Sequence, residues 1–184
     1  MSSEITSYKI ALVGCSWLGA AVLDRLVAAA FEVCVVTEPG EYRVAAAAEQ
    51  AGVPTVVKAL AERLTVEDFP WSPDLIVSAH SFRIIPADIL QLAADGGIGY
   101  HPSLLPAYKG RNSVRDCIEA QERVTGGTVY RLTEEIDGGG VLLQGNVAIL
   151  EGENALGLWK RALAPLGVKL LSRAAVKMRS GGAW

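Results

Sequence analysis

Short apolar segments alternate with helix-like segments through the first half of this chain, and this alternation limits the fold more than any other feature. Residues 9–14 (KIALVG), 32–37 (EVCVVT) and 74–79 (DLIVSA) predict buried strands, and residues 53–57 predict a shorter one. Helical patterns lie between them, at residues 20–30, 42–51 and 60–68. Strands that alternate with helices predict an α/β protein with a mostly parallel, twisted sheet flanked by helices.

The second half of the chain continues this pattern and then departs from it. Helical patterns lie at residues 86–94, 111–121 and 154–177, and the last of these is interrupted at residues 165–167. Strand patterns lie at residues 98–101, 124–132 and 141–150, and the last of these is kinked at Gly145. The last two strands have no helix between them, which predicts an antiparallel excursion after residue 124. We expect the 184 residues to form a single domain, with residues 1–8 as a flexible N-terminus.

Composition and charge argue against several classes of function. The net charge is −3 and no block of Lys or Arg is present, so no nucleic-acid partner is expected. Three scattered cysteines, no CxxC pair and only two histidines give no metal site and suit a reducing compartment. No apolar run reaches transmembrane length and the polar N-terminus lacks a signal core, so we expect a cytoplasmic protein without a membrane partner.

Two loops at predicted strand ends leave their roles open. The loop GCSWLG, residues 14–19, lacks both the middle glycine of a dinucleotide fingerprint and the Lys-Ser/Thr of a P-loop. It is either a tightly packed turn or a place where Ser16 holds one end of a substrate at a helix N-terminus. His80 begins the loop after residues 74–79, where ligands bind in open α/β sheets, and is either structural or catalytic.

His101 and Asp137 form the strongest candidate pair for chemistry. His101 ends a predicted strand and opens the motif HPSLLP, in which two prolines restrict the turn. Asp137 precedes three glycines and an apolar strand. A carboxylate that orients an imidazole is a common acid–base arrangement, so the two residues predict an active site between their loops.

These motifs resemble a known family. HPSLLP, the Tyr-x-Gly turn at residues 108–110, an I-D-G-G loop and L-L-Q are similar to the family of formyltransferases that use 10-formyltetrahydrofolate. The resemblance implies its Rossmann-like formyltransferase fold across nearly the whole chain. It also implies catalysis by His101 and Asp137. The pterin of the formyl donor would be bound, largely through backbone groups, by Phe82, Arg83, Ile84, Ile85, Glu135, Ile136 and Gly138.

The resemblance implies an enzyme that transfers a formyl group to a small primary amine, such as an amino sugar or a nucleotide-linked amine. Candidate anchors for this acceptor are Ser16, Arg111, Asn112 and Arg115. The chain ends without the C-terminal domain that methionyl-tRNA formyltransferases use on tRNA, so a tRNA acceptor is not expected. The oligomeric state stays open, a homodimer included.

Gly99 departs from the family pattern and supports a second hypothesis. The amine formyltransferases have an Asn two residues before the motif histidine, which helps to bind the formyl oxygen, and glycine offers no such donor. The hydrolase domain of formyltetrahydrofolate dehydrogenase also lacks it, so hydrolysis to formate and tetrahydrofolate is one alternative. A non-catalytic folate-binding protein is the other.

Overall fold

A seven-stranded sheet with helices on both faces forms the frame of the protein. The computed structural model describes residues 7–182 and residue 184, so most of the predicted flexible segment 1–8 lies outside the described residues. Tyr8 lies within them and is held in place, because its ring packs edge-on against Phe31 and its hydroxyl donates to Asp95. The strands are β1 (Lys9–Gly14), β2 (Glu32–Thr37), β3 (Thr55–Val57), β4 (Leu75–Ala79), β5 (Gly97–His101), β6 (Val124–Arg131) and β7 (Val141–Ala148).

The strand order is β3-β2-β1-β4-β5-β6-β7, and the first five strands are parallel. β6 and β7 run antiparallel to their neighbours, which confirms the predicted change of direction after residue 124. The register is regular at Gly145, where we predicted a kink, and the irregularity lies instead between Val129 and Tyr130. The predicted fold class, a mostly parallel sheet flanked by helices, is confirmed.

The described part of the chain contains six α-helices: α1 (Ser16–Ala28), α2 (Tyr42–Gln50), α3 (Ala87–Leu90), α4 (Ser113–Glu119), α5 (Ala155–Leu158) and α6 (Ala164–Arg179). A π-helical turn, Trp159–Leu163, joins α5 to α6. The predicted interruption at residues 165–167 is wrong in position, because α6 runs through these residues without a break and the irregular turn lies before them. Pro165 is the second residue of α6 and has no N–H to donate to the Arg161 carbonyl, which favours the wider turn at this place.

The apolar core lies on both faces of the sheet because β1, β2 and β4 are buried on both sides. Ile10 and Leu12 of β1 point to the cluster that includes Leu23 and Leu171 of α1 and α6. Ala11, the residue between them, belongs to the cluster on the opposite face. This double burial explains why the strand segments are continuous apolar runs.

The predicted helix at residues 60–68 is wrong. Only a 3₁₀ turn, Val66–Asp68, forms there. The buried guanidinium of Arg83 donates hydrogen bonds to the backbone at the start of this segment, to the carbonyl oxygens of Lys58, Ala59 and Glu62 at 2.5–2.8 Å. The contacts with Arg83 stabilise an irregular path of this segment, in which the Glu62 N–H also donates to the Ala59 carbonyl in an isolated turn.

Candidate active site

A cavity of about 590 Å³ opens at the carboxyl ends of β4 and β5, where open α/β sheets bind their ligands. Its walls come from the loop that follows β4, the turn that follows β5, the β6–β7 loop, and the π-helical turn. The predicted residues that line it are His80, Phe82, Arg83, Ile84, Ile85, His101, Arg111, Glu135, Ile136 and Asp137. The fold therefore brings three predicted loops, far apart in sequence, around one space.

His101 and Asp137 meet in this cavity. His101 Nδ1 lies 3.3 Å from Asp137 Oδ2, and both side chains are at least nine-tenths buried. His101 Nε2 lies 2.7 Å from the carbonyl oxygen of Tyr108. A carbonyl only accepts, so Nε2 carries a proton and donates it to Tyr108, and the Nδ1 edge is left for Asp137 and for a ligand.

Asp137 is held from several sides. Its Oδ2 accepts from the backbone N–H of Gly110 at 2.8 Å, and its Oδ1 accepts from the Tyr130 hydroxyl at 2.9 Å. The backbone of Asp137 is in the left-handed region, with φ of 51°, which is unfavourable for a residue other than glycine. Such conformations persist where the surrounding structure fixes them, and they cluster at functional sites.

The turn that follows His101 is fixed by a buried hydrogen-bond network. Thr128 lies opposite His101 in the β5–β6 register. Its hydroxyl donates to the Ser103 carbonyl at 2.7 Å and accepts from the Leu105 N–H at 3.1 Å. Gln144 Nε2 donates to both the Thr128 hydroxyl and the Leu105 carbonyl, each at 2.9 Å. The network ties HPSLLP to β6 and β7 and sets where β5 ends.

The predicted pterin loops present apolar surface to the cavity. Phe82, Ile84 and Ile136 are each more than half exposed although they are large and apolar. Ile85 is buried and anchors its loop in the core. Exposed apolar groups around a cavity are typical of ligand-binding surfaces.

Three of the predicted pterin residues contribute differently from what their side-chain chemistry suggests. The Arg83 guanidinium donates to the carbonyls of Lys58, Ala59 and Glu62, so this side chain ties the loop to the neighbouring segment. Glu135 pairs with Lys109 at 3.3 Å, and a Cβ added to Gly138 would collide with the Glu135 side chain. Gly138 therefore lets the loop close on itself.

The four predicted acceptor anchors are not brought together. Arg111 lines the cavity, with its guanidinium carbon 5.2 Å from the centre of the Phe82 ring. Asn112 precedes α4, and Arg115 lies exposed on that helix, 3.9 Å from Glu119. Ser16 lines a separate cleft with residues 40–43.

His80 and Ser16 are directly connected. The Ser16 hydroxyl and His80 Nδ1 share a hydrogen bond, and the Ser16 N–H donates to Glu41 at 2.7 Å. The His80 ring packs on Trp159 with a centroid distance of 4.9 Å, and burial lowers the pKa of His80 below its ordinary value. The GCSWLG loop is also a close-packed turn, since a Cβ on Gly14 would lie 3.2 Å from the Ala79 carbonyl oxygen.

Several cavity residues were missed in the sequence. Among them are Tyr130, in β6, and Leu132, in the loop that follows β6. Leu156 and Trp159, from the last helical segment, are two more. Tyr130 lies seven positions before Asp137, in a strand with no motif of its own, and only the β5–β6 register brings it beside His101. The helical pattern of the last segment does not reveal which turn faces a cavity.

The described residues contain neither a metal-like cluster nor a helix suited to cross a membrane. Among them, no group of three or more His, Cys, Asp or Glu side chains could hold a metal ion. Their helices are too short or too polar to span a bilayer.

Comparison with known proteins gives a family match over most of the chain. Residues 9–175 match the formyl transferase family. The chain is 40% identical to GDP-perosamine N-formyltransferase of Brucella melitensis over 54% of this chain and 39% of that protein. It is 31% identical to methionyl-tRNA formyltransferase of Thermotoga maritima over 94% of this chain and 59% of that protein. It thus spans about two to three fifths of these relatives.

Solved structures show the same fold. Glycinamide ribonucleotide transformylase 1 from Symbiobacterium toebii superposes with a TM-score of 0.85 at 22% identity, covering 98% of this chain and 92% of that one. The corresponding protein from Geobacillus kaustophilus superposes with a TM-score of 0.76 at 24% identity, covering 94% and 98%.

Proposed function

This chain belongs to the formyl transferase family, and we propose that it transfers a formyl group from 10-formyltetrahydrofolate to a small primary amine. The observation that carries the proposal is the contact of His101 with Asp137, at 3.3 Å, in a cavity formed at the ends of the parallel strands. An imidazole with a carboxylate partner can both donate a hydrogen bond and move a proton.

The walls of the cavity suit the formyl donor. Phe82, Ile84 and Ile136 offer apolar surface against which a flat ring can pack, and the loop backbones at residues 82–85 and 135–138 offer hydrogen-bonding groups. We infer that these residues hold the pterin, with Arg83 acting through the loop rather than through its charge. The donor supplies an activated formyl group on nitrogen.

His101 and Asp137 would act on the formyl group. Transfer to an amine requires a hydrogen-bond donor for the oxygen on which negative charge develops, and a route for the proton that the amine loses. Nε2 of His101 donates to Tyr108, so Nδ1 beside Asp137 is the ring nitrogen that can accept the proton lost by the amine, and the N–H so formed can then donate to the formyl oxygen or to Asp137. The 3.3 Å separation from Asp137 exceeds that of a tight ionic hydrogen bond, and catalytic contacts of this kind often shorten when substrate binds.

The acceptor would occupy the part of the cavity beyond His101. His80, Leu156, Trp159 and Arg111 line the same cavity as His101, and the His80 ring packs on Trp159. A small acceptor is suggested by the relatives named GDP-perosamine N-formyltransferase and phosphoribosylglycinamide formyltransferase, and the net charge of −3 argues against the tRNA acceptor that other relatives are named for. We therefore infer a second subsite for an amine.

Hydrolysis of the donor is the second candidate, and Gly99 is the observation that favours it. Gly99 lies in β5 two residues before His101 and has no side chain to help bind the formyl oxygen. A non-catalytic binder is less well supported, because that hypothesis expected His101 and Asp137 too far apart to interact or the cavity filled by side chains.

A single assay separates these candidates. The protein is incubated with 10-formyltetrahydrofolate, and tetrahydrofolate release is followed by absorbance, first alone and then with a panel of amino sugars and small amines. Release that requires an amine supports transfer, and equal release without any amine would establish the hydrolase instead. Saturable donor binding with no release under any condition would leave only the binder.

Asp137→Asn tests the proposed pair directly. We expect kcat to fall by about 10²–10⁴-fold, the usual contribution of a positioned acid–base group, with donor binding retained. Asp24→Asn, which removes an exposed carboxylate on α1, is the matched control and should be as active as the wild type. Turnover near the wild-type rate in Asp137→Asn would refute the mechanism.

A further inference from the structure

The ring of Tyr130 lies over the bare backbone of Gly99. The two residues are directly opposite in the antiparallel β5–β6 pair, and His101 is two positions along on the same face. A Cβ built on Gly99 would be 3.4 Å from Tyr130 Cε1 and Cζ, and 2.8 Å from Leu132 Cδ2. Tyr130 and Leu132 thus occupy the space into which a side chain at position 99 would extend.

This placement brings the Tyr130 hydroxyl to Asp137. The hydroxyl donates to Oδ1 at 2.9 Å, while the Gly110 N–H donates to Oδ2 at 2.8 Å. His101 Nδ1 faces that same Oδ2. Donors on both oxygens prevent the carboxylate from rotating about its terminal bond, so the oxygen that faces His101 keeps its place.

The hydroxyl is a permanent donor. Burial raises the pKa of the Tyr130 phenol well above its ordinary value, and the charge of Asp137 raises it further. The phenol is therefore protonated at neutral pH and can donate to Asp137. A bond from a neutral donor to a carboxylate in a buried setting is among the stronger hydrogen bonds in proteins.

We propose that Tyr130 is a positioning residue for the reaction, acting through Asp137 to hold the carboxylate against His101. The role of the Asp137–His101 pair in turnover rests on the proposed function. The positioning itself is a property of the folded protein, and it can be measured without any substrate.

The substrate-free measurement uses the small number of histidines. The chain has two, so a protein labelled with nitrogen-15 in histidine gives the ring signals of His80 and His101 alone. In Tyr130→Phe we expect the His101 ring signals to shift or broaden while those of His80 stay unchanged. Tyr8→Phe is the matched control, because it removes another hydroxyl bonded to a carboxylate, Asp95, away from the cavity. His101 signals unchanged in Tyr130→Phe would overturn the proposal.

The kinetic measurement is a double-mutant cycle with Asp137→Asn. Tyr130→Phe alone should lower kcat about 10- to 100-fold, the range expected for one hydrogen bond to a charged group. KM for the donor should change less than about twofold, because the lost bond does not contact it. In the Asp137→Asn background, Tyr130→Phe should have little further effect on kcat, because the carboxylate through which Tyr130 acts is already absent.

The two proposals fail in distinguishable ways. A wild type that turns over no donor with water or any amine, but whose His101 signals respond to Tyr130→Phe, would refute the proposed function and leave the positioning intact. An equal loss of kcat on Tyr130→Phe in both backgrounds would mean that the hydroxyl acts on the substrate directly, which overturns the positioning role.

Discussion

Thr128→Val is the perturbation that best tests how the structure sets the position of His101. Thr128 is fully buried, lies opposite His101 in the sheet, and bonds with its one hydroxyl to Ser103, Leu105 and Gln144. Valine has nearly the same shape, so the substitution removes the hydrogen bonds and creates little new space. The Leu105 N–H and the Ser103 carbonyl are left without their partner.

The cost follows from those two orphaned backbone groups. Each buried group without a partner costs on the order of 1–3 kcal/mol, which gives a loss of about 3 kcal/mol in the free energy of unfolding. For a chain of this size the melting temperature should fall by about 6–12 °C. Urea unfolding followed by circular dichroism measures the free energy directly.

Activity should fall as well, because the turn after His101 loses its attachment to β6. A displacement of about 1 Å can lower turnover by about 100-fold, so we expect a loss of between 10- and 100-fold in kcat at a temperature where the variant is folded. Thr125→Val is the matched control. Thr125 is buried in the same strand on the opposite face, and we expect a loss below about 1.5 kcal/mol and no change in kcat. If the two valine variants are equally stable, the network does not fix the turn and the reasoning is refuted.

Three further outcomes are expected. Gly99→Asn should fold with a loss of about 1–3 kcal/mol in the free energy of unfolding, because the new side chain must displace Tyr130 and Leu132. Its transfer rate is measured as amine-dependent release of tetrahydrofolate. A rate above that of the wild type would show that a hydrogen-bond donor at position 99 was limiting. Arg83→Met should weaken binding of the formyl donor and destabilise the protein by at least about 3 kcal/mol, because three carbonyls lose a charged donor. Calorimetric titration measures the binding and urea unfolding measures the stability, and unchanged stability would contradict the prediction. Burial lowers the pKa of His80, so the unfolded chain takes up a proton at a higher pH than the folded protein does, and the folded state loses stability as the pH falls below about 6.5. In His80→Gln, the fall in unfolding free energy between pH 7.5 and 5.5 should therefore be smaller than in the wild type.

The sequence supported prediction best where the signal was local. The strands at 9–14, 32–37 and 74–79 are short apolar runs buried on both faces, so their composition alone identifies them. The placement of His101 at a strand end also followed from the sequence, because the prolines of HPSLLP cannot continue a strand.

Prediction failed where a distant side chain decided the outcome. Residues 60–68 have a helical pattern, but Arg83, more than twenty residues further along the chain, donates to the carbonyls of Lys58, Ala59 and Glu62, and no helix forms there. The partners of the Arg83 guanidinium were likewise not predicted, since it donates to backbone carbonyls of the protein itself, while the contact of its loop with a ligand stays a prediction. Neither result is visible in a window of neighbouring residues.

The sequence by itself determined the family fold, the edge of the sheet at which the cavity opens, and the two loops that carry His101 and Asp137. Only the tertiary structure decided which groups meet those two residues: Tyr130 over Gly99 and Thr128 beneath the HPSLLP turn. The physical reason is that local pattern sets which residues form a strand, whereas the facing of side chains depends on register between strands. That register is fixed by packing across the whole sheet, which no single segment of sequence contains.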